Sequence, residues 1–187
     1  MRIVDLVSDN EPAIQQVAAL LVSGFAEHYP EAWPDHESAV NEVRESFAPD
    51  RLSLVAIDDS GTVVGWIGGI RQYDGRVWEL HPIVVAQDRQ RQGIGRALVL
   101  SLEARVRELG GLTMWLGTDD EDGQTSLSGV DLYDDLLGRL ASIRNLNGHP
   151  FEFYRHLGYT IAGVVPDANG LGKPDIFMAK RILEQLD

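Results

Sequence analysis

The sequence predicts a layered α/β domain, and three observations carry that reading. Strand-like and helix-like segments follow one another in the order strand, two helices, three strands, helix, strand, helices, two strands. Two of the strand-to-strand connections have hairpin chemistry, Asp58-Asp59-Ser60-Gly61 and Asp74-Gly75. A glycine-containing passage, Gln92-Gly93-Ile94-Gly95, then opens a long amphipathic helix, and such a mixed order implies hairpins together with at least one parallel crossover.

Each element has its own signal. Residues 2–7 alternate as a short strand. Residues 11–29 repeat apolar side chains at Ile14, Val17, Ala18 and Leu21, a helical spacing, and a second helix over 35–47 is bracketed by Pro34 and Pro49. Strands follow at 52–57, 62–70 and 77–85. Ile94, Leu98, Leu102, Val106 and Leu109 then mark a helix that Gly110-Gly111 stops. Residues 112–116 return to strand, and a polar loop covers 119–129. A helix is expected to carry Leu132, Leu136, Leu140 and Ile143; a short one over 150–157 leads into strands at 159–165 and 174–179.

At 187 residues the chain fits one domain spanning 1–187, large enough to bury a core without disulfides or metal. It has no cysteine, which excludes a thiol nucleophile and a cysteine-based zinc site and fits a reducing cytoplasm. The first residues lack the apolar core of a signal peptide, and the apolar runs are too short to span a membrane, so a soluble, cytoplasmic protein is expected. Sixteen Lys+Arg against twenty-nine Asp+Glu leave a net charge of −13. Such a chain repels nucleic acid and anionic membranes and attracts cations.

Against that background, three arginines within eight positions stand out in Asp88-Arg89-Gln90-Arg91-Gln92-Gly93-Ile94-Gly95-Arg96. The glycines let backbone approach a ligand, and the helix start directs free N–H groups at it, a pocket for a polyphosphate. Arg96-Ala97 does not supply the Lys-Ser/Thr of a P-loop, and Leu98 stands where a dinucleotide fingerprint needs its third glycine. Just upstream, Trp78-Glu79-Leu80-His81-Pro82 places Glu79 and His81 on one strand face, while Pro82 suggests a bulge or a break in pairing. A carboxylate and an imidazole side by side suit removal of a proton from an amine, and an exposed polar strand face is the plain alternative. Phe153-Tyr154 adds a phenol, which can protonate a departing thiolate or simply pack in the core.

Gln90-x-x-Gly93-x-Gly95 between strand and helix, followed by Phe153-Tyr154 and Gly158-Tyr159, resembles the GNAT acetyltransferases. Within them, the series Trp78–Pro82, Leu116-Gly117-Thr118-Asp119-Asp120, Ile143-Arg144-Asn145, His149-Pro150-Phe151-Glu152-Phe153-Tyr154 and Lys173-Pro174-Asp175 closely resembles the aminoglycoside 6′-N-acetyltransferases. The resemblance implies a mixed, mostly antiparallel sheet flanked by helices, with a split between the strands ending near Val85 and starting near Leu112. It implies acetyl-CoA as co-substrate, with no metal. Ile83, Val84 and Val85 would then bind the pantetheine arm through their backbone, and Arg91, Gln92, Gly93, Ile94, Gly95 and Arg96 the pyrophosphate. Glu79 and His81 would bind and deprotonate the acceptor, Tyr154 would act as acid, and a homodimer is expected.

A polycationic aminoglycoside would suit carboxylates concentrated at Asp119, Asp120, Asp122 and Asp135, with Trp33 and Tyr73 offering faces to its sugar rings. The expected reaction is direct acetyl transfer in a ternary complex, since no cysteine is present to carry the acetyl group. Which of Glu79 and His81 is the base stays open. Two other functions remain open as well: acetylation of a polyamine or another cellular amine, and a non-catalytic acyl-CoA-binding sensor.

Overall fold

The computed structural model describes residues 1–183. The described residues divide into two compact units, residues 1–114 with 182 and 183, and residues 115–181.

The first unit is built on four antiparallel strands, β1 (Arg2–Asp5), β2 (Arg51–Ile57), β3 (Val63–Gln72) and β4 (Val77–Val85), paired in that order. Two helices separate β1 from β2. Helix α1 (Glu11–Phe25) starts where the Asn10 side chain accepts the Ala13 N–H, with Pro12 in the first turn. Helix α2 (His36–Glu45) starts at a capping box in which Asp35 and Ser38 each accept the other's amide. Ile14, Val17 and Leu21 of α1 and Val40 and Val43 of α2 share one apolar cluster with Trp66 of β3 and Val84 of β4. Trp66 is fully buried, and its indole N–H donates to Ser53 Oγ at 2.9 Å.

Helix α3 (Ile94–Glu108) lies on the opposite face of β3 from α1. Room for it comes from two glycines. A methyl group at Gly65 would lie 3.0 Å from Leu98 and one at Gly69 would lie 3.0 Å from Leu102. Gly110, at φ +83°, ends α3, as its left-handed conformation requires.

A bulge in β4 decides which way its side chains point. Ile67 pairs with Ile83 and Gly69 with Leu80, so Gly68 alone stands opposite both His81 and Pro82. This is the break in pairing expected at Pro82, and the His81–Pro82 peptide is cis. Cross-strand partners share a face. Leu80, opposite Gly69, therefore points with Trp78 toward α3, and Val85, opposite Gly65, does so as well. Val84 points the other way, its methyl meeting Gly24 of α1. The extra residue thus reverses which residues face α3: even numbers before the bulge, odd numbers after it.

The second unit holds β5 (Thr113–Asp119), which begins in the first, with α4 (Leu136–Ala141), α5 (Phe151–His156), β6 (Thr160–Val165) and β7 (Asp175–Arg181). Its strands run in the order β5, β7, β6, with β6 and β7 antiparallel. Leu127, Leu132 and Ile176 form its core. Leu132 is not helical, contrary to the expected pattern. The Asp131 carboxylate accepts the Tyr133 N–H in a tight turn, and α4 starts only at its own cap, Asp135, which accepts the Gly138 N–H. Among the described residues no helix is long and apolar enough to cross a membrane.

The bulge yields a stability test. A methyl group at Gly68 would strike the His81 carbonyl, which is backbone and cannot step aside. Gly68→Ala should cost about 1–3 kcal/mol and lower Tm by roughly 2–12 °C. Gly163→Ala is the control, since its methyl would meet only Phe177 at 4.0 Å. Equal melting of the two variants would disprove the constraint.

Candidate active site

Glu79 and His81 lie on the α1 side of β4, two positions apart and both before the extra residue. Gln72, near the end of β3, donates its side-chain N–H to Glu79 Oε2 at 2.7 Å. The hairpin register explains the contact: Gln72 pairs with Val77 and Ile70 with Glu79, so Gln72 is the same-face diagonal neighbour of Glu79. His81 is exposed, and its ring centroid is 6.3 Å from that of Trp33. Trp33 is held edge-on against Phe25 of α1 at 4.6 Å. Carboxylate, imidazole and indole therefore occur on one side of the strand. Tyr73 does not join them as a packed ring: it stands 76% exposed at a turn that it shares with Asp74 and Gly75, all at positive φ.

Beyond Val85 the chain makes a single 3₁₀ turn, Gln87–Arg89, and reaches α3 through two left-handed residues, Arg91 (φ 59°) and Gly93 (φ 83°). Gly93 caps the helix with no side chain of its own. Among the described residues no protein acceptor takes the backbone N–H of residues 91–96. Six successive amides at the positive end of a fifteen-residue helix thus lack a protein acceptor among the described residues. Arg89 is engaged, 3.6 Å from Asp58 and 3.5 Å from Asp88, whereas no ion pair among the described residues takes the exposed Arg91 or Arg96. Ile94 is buried and anchors the turn, and Gln92 braces it by donating to the Asp88 carbonyl. The arrangement fits a polyphosphate: unsatisfied donors, free guanidinium groups, and no side chain at Gly93 to block approach.

In the second unit, Tyr154 lies on α5 and is 6% exposed. Burial pushes its hydroxyl above the usual value, so it keeps its proton throughout the physiological range. Its ring sits edge-on to Phe153 at 5.0 Å and to Tyr159 at 5.8 Å.

The acidic residues separate into different roles. Asp120 is fully buried, and its two oxygens accept the Gln124 N–H at 2.7 Å and the Thr125 N–H at 2.8 Å. Both oxygens thus organise the loop, and its expected place among the acceptor-binding acids would have to be reconciled with that burial. Asp119, half-buried, accepts from the Asn169 side chain, and Asp135 caps α4. Asp122 is exposed on the same loop as Asp120.

Two residues with a bearing on the site escape a reading of the sequence. Gln72 could be found from the hairpin register alone. His149, 1% exposed, sits in a motif already singled out, but its partners are distant in sequence.

Residues 18–136 match the model of the acetyltransferase (GNAT) family. The chain is 43% identical to an aminoglycoside 6′-N-acetyltransferase whose crystal structure is complexed with coenzyme A, with a TM-score of 0.91 and 100% of both chains covered. It is also 43% identical to the aminoglycoside 6′-N-acetyltransferase from Enterococcus faecium, with a TM-score of 0.89 and the same coverage. An aminoglycoside 6′-acetyltransferase type Ii is 37% identical over 99% of both chains, with a TM-score of 0.74. No curated protein is similar enough to the chain to count as a match.

Asp120→Asn should separate a structural carboxylate from a ligand-facing one. An amide has one oxygen to offer two N–H donors, and its own NH₂ meets the second. The loss should be about 1.5–3 kcal/mol, lowering Tm by roughly 3–12 °C. An unchanged melting curve would return Asp120 to the ligand-binding group.

Proposed function

The chain belongs to the GNAT family of acetyltransferases, and we propose that it moves an acetyl group from acetyl-CoA to the 6′-amine of an aminoglycoside. The observation that carries the reading is the course of β4. This strand bears Glu79 and His81 beside Trp33, then leads into six unpaired amides and two free arginines in a chain of net charge −13. Likeness to aminoglycoside 6′-N-acetyltransferases over the whole length of both chains supports the acceptor.

Acetyl-CoA supplies the acetyl group as a thioester, whose C–S bond breaks as the acceptor amine forms its C–N bond. The amides of Arg91, Gln92, Gly93, Ile94, Gly95 and Arg96, with the two guanidinium groups, hold the pyrophosphate. Backbone groups of Ile83, Val84 and Val85 bind the pantetheine arm, and one N–H there stabilises developing charge on the carbonyl oxygen. Donors of this kind contribute about 3–4 kcal/mol. The acceptor arrives as an ammonium. Glu79 attracts it and, with His81, directly or through water, removes the proton that must leave before the nitrogen can attack. Gln72 holds one oxygen of the Glu79 carboxylate. Trp33 supplies an apolar wall for a sugar ring, and Tyr73, Asp119, Asp122 and Asp135 extend the acceptor surface.

Tyr154 supplies a proton to the departing thiolate. Its raised pKa means that the phenol is never lost to ionisation at working pH, and its hydrogen bond to sulfur strengthens as charge grows there, until the proton passes to the thiolate. The same reading assigns the protein to antibiotic resistance, as a single GNAT domain working as a homodimer in the cytoplasm.

Thiol release from acetyl-CoA should be saturable with a kanamycin-like acceptor bearing a 6′-amine and absent with its 6′-hydroxyl counterpart. The product should be one acetyl group heavier at that position. Strong turnover on polyamines, beside slow, unsaturable rates on aminoglycosides, would overturn the acceptor. Tyr154→Phe should lower kcat by about 10²-fold or more while leaving the Kd for acetyl-CoA within about twofold. Undiminished turnover would remove Tyr154 from the chemistry.

A further inference from the structure

Helix α5 is only six residues long, too short to hold its own conformation, so whatever anchors its ends decides where Tyr154 points. At the C-terminal end, Gly158 (φ 90°) turns the chain, and the Leu157 and Tyr159 amides both donate to the Tyr154 carbonyl at 3.0 Å. At the N-terminal end the cap position is Pro150, which offers no side-chain acceptor. The task falls to His149. Its Nδ1 accepts the N–H of Phe151, the first residue of α5, at 3.2 Å. Its Nε2 lies 3.0 Å from the carbonyl oxygen of Asp119 at the end of β5. Because Nδ1 is accepting, the proton belongs on Nε2, which donates to Asp119; this network requires one neutral tautomer.

The ring is itself fixed. Asn145 Oδ1 accepts the amides of Gly148 and His149 at 2.8 and 2.9 Å, and Asn145 Nδ2 donates to the His149 carbonyl at 2.9 Å. Asn145 stands opposite Thr125 in a short antiparallel bridge, in which the Ser126 N–H donates to the Arg144 carbonyl and the Leu146 N–H to the Gln124 carbonyl, and buried Asp120 holds the Thr125 amide. A continuous web of hydrogen bonds therefore runs from the end of β5 and its acidic loop to the first turn of α5.

We propose that His149 is a positioning residue for Tyr154, its neutral ring tying the first amide of α5 to the Asp119 carbonyl and so aiming the phenol. The proposal rests on the reading of Tyr154 as the proton donor. A second proton on the ring would arrive at Nδ1, against the Phe151 N–H, and break the tie. Desolvation pushes the His149 pKa below its usual value, opposed first by the hydrogen bond to the Asp119 carbonyl and then by the Asp120 and Asp119 carboxylates. The charged groups of α5 itself, Glu152, Arg155 and His156, are all exposed. Since the folded pKa is depressed, the unfolded chain takes the proton first. The tie is fully present above about pH 6.5 and is lost as pH falls through the folded value.

The test uses the full chain, acetyl-CoA and an aminoglycoside with a 6′-amine. His149→Leu should lower kcat roughly ten- to hundredfold, with both KM values within about twofold, as expected of a misaimed donor. His149→Asn keeps an acceptor within reach of the Phe151 amide and should restore part of that loss, with no acid limb below about pH 6.5 attributable to position 149. In a Tyr154→Phe background, His149→Leu should change kcat by less than about twofold, because the group that it aims is gone. Additive losses in the double variant would overturn the proposal, as would a wild-type acid limb unaltered in His149→Asn. If His149→Leu does not fold, the Asn variant and its pH profile, alone and with Tyr154→Phe, decide the matter. A Tyr154→Phe enzyme with full kcat identifies failure of the donor reading itself, before His149 is changed.

Discussion

The extra residue in β4 opposite Gly68 is the constraint that sets the faces of the first unit's strand. A regular strand would keep residues 79, 81, 83 and 85 on one face. The bulge divides them, so that Glu79 and His81 stay on the α1 side while Val85 turns toward α3. One nine-residue strand can thereby carry a carboxylate and an imidazole on one side and still hand the chain to a helix packed on the other. The accommodation on β3 is a run of small residues. Gly68 leaves space for the His81 carbonyl, and Gly65 and Gly69 for the leucines of α3. The course of this strand depends on what its neighbour lacks.

Carboxylates do two unlike things in this chain, and burial separates them. Asp120 is stable without water because two backbone N–H groups replace its hydration. Asp35 and Asp135 perform similar work in the open, as helix caps. Asp122 remains at the surface, where a negative field can draw in a cation. The formal charge of −13 counts them all alike, although only the solvent-facing groups contribute freely to that field.

Much of this is legible in the sequence. Hairpin and helix signals place Val77–Val85 to the residue and α3 to within one residue, and the bulge is visible in Pro82 because a proline cannot donate to a ladder. The features that are not legible share a cause. Leu132, Leu136, Leu140 and Ile143 have helical spacing, but periodicity reports only which residues are buried together, and an aspartate turns the backbone at 131–133 instead. Asp120 looks like its neighbours because composition does not record which carboxylate meets an amide. His149 reads as part of a motif, yet its ring meets a carbonyl thirty residues away. Spacing along the chain reveals faces; it does not reveal which atoms become partners across a loop.

The pairing of Trp33 with His81 has an optical consequence. Two of the four tryptophans, Trp66 and Trp78, are buried in the core, whereas Trp33 is half-buried beside an imidazole. An indole excited beside an imidazole changes its emission as the surroundings of that ring change. A spectrum recorded during a titration with an aminoglycoside would therefore report on the side of β4 that bears Glu79 and His81, with no attached dye.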